Sequence, residues 1–144
     1  MKRGPKHVWY DDSRAPVVVL TMPSKFDDAA LTAALTAATR WLLEEVDAPF
    51  GFIADLQRPL AISPRQRKLV ASAEAAYAHV DARFNAGQAF VVGSAISRGI
   101  VTALTWLSPP VYPYVVVSSI AEAFAWVEPQ FDRFLAAHPH GRPT

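Results

Sequence analysis

Residues 50–56, Phe50-Gly51-Phe52-Ile53-Ala54-Asp55-Leu56, form a compact, mostly apolar run closed by one carboxylate, and their reading decides the fold. Such a run suits a strand buried on both faces, the kind that parallel sheets contain. Two more runs of this type follow, Ala89–Gly93 and Tyr114–Val117. Continuous apolar strands separated by helices call for parallel pairing, right-handed crossovers and helices that cover the sheet.

Upstream of the deciding run, Asp27 and Asp28 open a helix, where negative charge favours the positive N-terminal end. Leu31, Leu35, Ala38, Trp41 or Leu42, and Val46 recur along it at helical spacing, and Pro49 and Gly51 end the region. Earlier still, Val8–Tyr10 and Val17–Met22 read as two strands joined by the turn Asp11-Asp12-Ser13-Arg14. Downstream, Ser63-Pro64-Arg65-Gln66 is the clearest local signal in the chain. Serine at the cap, proline at the first helical position and glutamine three residues after the serine make a capping box. That helix runs through Leu69, Val70, Ala73, Tyr77, Val80 and Phe84 and is expected to stop near Gly87. A third helix is expected from about Ser97 to Leu107 and a fourth from Ile120 to about Ala137. The order β-β-α-β-α-β-α-β-α gives an α/β fold with a mixed, mostly parallel sheet and about four flanking helices. No repeat, linker or low-complexity block divides the chain, so residues 1–144 read as a single domain, with a core over about 8–137 and a flexible tail at 138–144.

The composition removes whole classes of function. With no cysteine among 144 residues, disulfides, thiolate nucleophiles and cysteine-based metal sites are excluded. A net charge of +1 supplies no general basic field for nucleic acid. The 51% hydrophobic and 19% charged composition lies far from that of disordered chains. No apolar stretch follows the basic residues Met1–His7, which leads to an expectation of a cytoplasmic protein. Between Arg98 and Glu122 there is no charged residue, a length that could span a bilayer, but Pro109, Pro110 and Pro113 interrupt any helix there. No transmembrane segment is expected.

Over roughly Val17–Leu135 the chain resembles the STAS-type fold of the SpoIIAA-like family, bacterial anti-sigma-factor antagonists and their relatives. The resemblance rests on the strand end Ile53-Ala54-Asp55-Leu56, on Phe90-Val91-Val92-Gly93-Ser94, and on a helix carrying Arg98-Gly99 and Trp106-Leu107. It continues through the proline turn and Val115-Val116-Val117 to Glu122-Ala123-Phe124-Ala125-Trp126. It implies a non-enzymatic regulatory module that binds a protein partner and needs no cofactor. In phosphorylated members a serine or threonine at the start of the helix after the Asp-Leu strand is the regulated residue, and Ser63 holds that place as candidate phosphoacceptor. The family's Asp-Ser-x-Gly surroundings are replaced here by Leu60-Ala61-Ile62-Ser63-Pro64-Arg65.

Several constellations allow two readings each. Ser63 is either that phosphoacceptor or simply the N-cap of its helix. Arg58, Arg65, Arg67 and Lys68 fall within eleven residues with no acid between Asp55 and Glu74. Three of them occupy the first turns of a helix, where the macrodipole disfavours cations, so either an acidic partner compensates or the face is solvated. Ser94, Ser97, Ser118 and Ser119, with Arg58 and Arg98, are either an anion or lipid-headgroup site at the C-terminal edge of the sheet or caps of their own helices. The third helix is apolar nearly all round; Ile100, Leu104 and Trp106 are its interface candidates, for a protein partner or a second copy, unless Trp106 packs under the Pro109-Pro110 turn. His7, His79, His138 and His140 lack metal-site spacing, and no metal is expected. A hydrolase using Asp55 or one of the serines is the minor alternative.

Overall fold

The computed structural model describes residues 3–59 and 61–143; Met1, Lys2, Leu60 and Thr144 lie outside them. Five strands, β1 (Tyr10–Asp11), β2 (Val17–Thr21), β3 (Phe50–Leu56), β4 (Asn85–Val92) and β5 (Tyr114–Val117), alternate with four helices after the first hairpin. These are α1 (Asp28–Arg40), α2 (Pro64–Phe84), α3 (Ala95–Leu107) and α4 (Ile120–Ala137). The strands lie side by side in chain order; β1 is antiparallel to β2 and the other neighbours are parallel. The chain is therefore the expected α/β domain with a mixed, mostly parallel sheet and four helices.

Because each parallel strand lies beside the one before it, crossovers of one hand place their helices on one face of the sheet. Residues of α1, α2 and α3 all line a space over the face that carries Phe52, Ala54 and Phe90. The opposite face is covered by α4, whose Ala123, Phe124 and Val127 pack with Val17, Ile53, Ala89 and Val91. Two paired glycines permit this close contact, Gly51 and Gly87. A Cβ on Gly51 would stand 2.7 Å from Val127 Cγ1, and one on Gly87 would stand 3.1 Å from Trp126 Cζ3.

Four boundaries depart from the sequence reading. The first strand is Tyr10–Asp11 rather than Val8–Tyr10. After α1 the helix continues as a π turn, Trp41–Glu45, which carries Trp41 and Leu42 into the core. α2 passes into β4 without a loop, so the strand begins at Asn85 and Gly87 lies inside it. Asn85 makes this junction, its Oδ1 accepting the Gly87 N–H at 3.1 Å. Gly87 looked like a stop signal, but its role is close approach to α4. α3 starts at Ala95, because Ser94 rather than Ser97 is the cap. The segment from His138 does not trail away. Arg142 Nη1 donates to the carbonyls of Ala82 and Asn85 at 3.0 and 3.1 Å, and its guanidinium lies over the Phe134 ring.

Candidate functional site

The two faces of the sheet are covered differently. On the α4 side Ile53, Ala89 and Val91 are fully buried. On the other side Val18, Phe50 and Ala54 are buried, but the larger Leu20, Phe52, Leu56 and Phe90 are only half-buried. The helices there stand away from the strands and leave a cavity of about 180 Å³. Protein interiors contain few voids larger than a water molecule, so a space of this size over aromatic side chains is a feature in its own right. The N-terminal segment closes one side with Pro5, Trp9 and Tyr10. A second cleft of about 170 Å³ adjoins it beneath the proline turn, and the two share Leu56, Glu74, Asp81, Phe90, Leu104 and Tyr112.

The walls are mainly apolar; besides Gln88, Thr105 and Ser108, their polar side chains are concentrated along one stripe. Glu74, Tyr77 and Asp81 follow each other on α2 at i, i+3 and i+7, a spacing that sets them on one helix face. Tyr112, from the turn after α3, completes the group. No Lys, Arg or His of the described residues lines either space. Burial pushes the Asp81 carboxyl up to about 7, against a hydrogen bond from Asn85 Nδ2 at 3.3 Å that favours its charged form. Glu74 stands at the rim, largely exposed as a residue, yet loss of water at its carboxyl raises its pKa too. The Tyr77 and Tyr112 phenols are held well above the usual range, chiefly by burial and then by these two carboxyls. Tyr10 differs: its hydroxyl donates to the Ala34 carbonyl at 3.3 Å, and burial raises its pKa.

The residues singled out in the sequence are distributed around the molecule. Ser63 is the cap of α2: its Oγ accepts the Gln66 N–H at 3.1 Å while its own N–H donates to Gln66 Oε1 at 3.0 Å. Arg65 reaches an internal acid, with Nε 3.0 Å from Asp28 Oδ2. Arg67 donates from Nη1 to the Ile62 carbonyl at 3.5 Å; Arg58 and Lys68 are exposed. Ser94 and Ser119 cap α3 and α4, accepting the N–H groups of Ser97 and Glu122, each at 3.1 Å. Arg98 is exposed on α3. Asp55 Oδ1 accepts from the backbone and side chain of Gln57 at 3.1 and 3.0 Å. On α3, Ile100 and Leu104 are half-buried and Leu104 lines both spaces, while Trp106 does not pack under the proline turn. Trp106, Leu107 and Ile96 are 80%, 83% and 79% exposed.

Sequence reasoning placed Tyr77 in the apolar stripe of α2 and missed Glu74, Asp81 and Tyr112. The spacing of two acids around Tyr77 was the available signal, but acids on a long helix ordinarily face water.

Among the described residues no group of three or more His, Asp or Glu is placed to hold a metal ion, and no helix is long and apolar enough to cross a membrane. No family model, no curated protein and no solved structure matches the chain at a significant level.

Proposed function

We propose that this chain is a non-enzymatic binding domain that takes a small, mainly apolar molecule between its sheet and helices α1–α3. The supporting observation is the cavity of about 180 Å³ over the half-buried Phe52 and Phe90, on a sheet whose other face is closed by α4. A space of about 150 Å³ with apolar walls holds a benzene-sized molecule, so this one suits a ligand of similar or slightly greater size. A ligand bound only to the folded state raises the melting temperature as its concentration passes its Kd. The test is a series of straight-chain alcohols from butan-1-ol to octan-1-ol. Stabilisation that grows with chain length, and is lost in a folded Leu104→Trp variant, supports the reading. No shift in wild type up to the solubility limits overturns it.

A second reading is the protein-interaction module that the SpoIIAA-like resemblance implies. Ile96, Trp106 and Leu107 favour it, standing almost fully exposed at the two ends of one helix. The chain from Gly99 to Ala121 carries no charge, so this surface has little to attract a charged partner, and a second copy of the chain is the occupant that suits it. Sedimentation should show a concentration-dependent dimer that Trp106→Lys disperses. A monomer at all concentrations overturns this homodimer reading.

A further inference from the structure

The polar stripe of the cavity carries an inference that rests on the binding reading above. Four polar side chains, Glu74, Tyr77, Asp81 and Tyr112, meet at the wall that the two spaces share or adjoin. Tyr77 and Tyr112 are half-buried, burial raises both phenols, and neither hydroxyl has a hydrogen-bond partner among the described residues. Buried polar groups in folded proteins are nearly always partnered, because an unmade hydrogen bond in a poorly hydrated place costs free energy. A wholly apolar ligand would leave both phenols in that condition and would offer the two carboxyls nothing. An anionic ligand would meet two carboxyls with no Lys, Arg or His of the described residues to balance it.

We infer that the cavity takes an organic ammonium, its apolar body lying against Phe52 and Phe90 and its charged head among Glu74, Asp81, Tyr77 and Tyr112. An ammonium group offers three N–H donors and accepts nothing, which matches a wall of carboxylate and phenol oxygens. The aromatic faces add attraction for a desolvated cation. Binding draws the proton from any protonated Asp81, because a cation beside a carboxyl favours its charged form. The ligand therefore enters with proton release near neutral pH, where Asp81 is partly protonated.

Three probes of equal chain length separate the ideas: octylammonium, octan-1-ol and octanoate, each titrated calorimetrically into the full chain at low salt. Octylammonium is expected to bind at least tenfold more tightly than octan-1-ol, and octanoate not measurably. At pH 7 the octylammonium heat should depend on the buffer's ionisation enthalpy, which reports the released proton, and the octan-1-ol heat should not. Asp81→Asn should weaken octylammonium about tenfold and leave octan-1-ol within twofold. Glu74→Gln, at the exposed rim and safe for folding, should weaken octylammonium by a smaller factor. If octan-1-ol or octanoate binds as tightly as octylammonium, or if neither variant changes the preference, the ammonium inference fails while an apolar pocket remains. If none of the three binds, both the inference and the binding reading fail.

Discussion

Arg65 Nε lies 3.0 Å from Asp28 Oδ2, joining the first turn of α2 to the first turn of α1. The other oxygen of the same carboxylate accepts from Gln66 Nε2 at 3.1 Å. Asp28 thus supplies, from within the chain, a negative charge beside a helix start crowded with cations. Both partners of the ion pair are well exposed, so the pair itself contributes little. Gln66 is buried, and its amide depends on Asp28 and Ser63.

The relative cost of three substitutions follows. Arg65→Ala should lower stability by less than about 0.5 kcal/mol, the worth of an exposed pair. Asp28→Ala should cost about 1 kcal/mol, because it leaves a buried amide without its acceptor. Gln66→Ala should cost about 1–2 kcal/mol, since it also opens the capping box. Urea unfolding of the three variants checks the order, and a larger loss for Arg65→Ala than for Gln66→Ala would refute it.

Ser63 can be tested as a cap independently of any modification. Ser63→Ala should destabilise by about 1 kcal/mol, while Ser63→Asp, an equally good cap, should stay within a few tenths. Thermal melts of both variants distinguish a capping role from a side chain that is merely exposed.

Gly51 should resist even the smallest substitution. Its added Cβ would stand 2.7 Å from Val127 Cγ1, inside a core with no slack on that face. Gly51→Ala should cost about 1–3 kcal/mol, the usual penalty of overpacking. The double variant Gly51→Ala, Val127→Ala should be less destabilised than the two single effects combined, because the second change removes the clashing methyl.

Stability should fall as pH rises from 5 to about 7. With its carboxyl raised to about 7 by burial, folded Asp81 keeps a proton that the unfolded chain, near its ordinary 3.8, has already lost. The folded state therefore binds more protons across this window, so its advantage shrinks as pH climbs and levels off above about 7. Glu74, raised for the same reason, adds in the same direction. At a half-buried site the full shift is not realised, and about 1–2 kcal/mol, or roughly 3–7 °C in melting temperature, is expected. Melts at a series of pH values check this, and Asp81→Asn should remove most of the slope.

Local features were legible because their causes are local. Ser63, Pro64 and Gln66 cap α2 through atoms within four residues, and Ser94 and Ser119 act likewise at α3 and α4. The junction at Asn85 was not legible, because a glycine reads as a breaker until the close passage of Trp126 over Gly87 is known. The basic run looked uncompensated because Asp28, the carboxylate that meets it, lies 37 residues before Arg65 in the chain.

The amino-acid sequence by itself determined the order of strands and helices, the parallel pairing and the capping box of α2, all of which follow from periodicity, apolar runs and side chains that reach their own backbone. Only the tertiary structure decided that α4 seals one face of the sheet while α1–α3 leave a cavity over the other. The same packing turned Glu74 and Asp81 toward that cavity. Depth of packing depends on how whole helices fit against a twisted sheet, a sum over contacts between residues far apart in the chain, and no single stretch of sequence carries it.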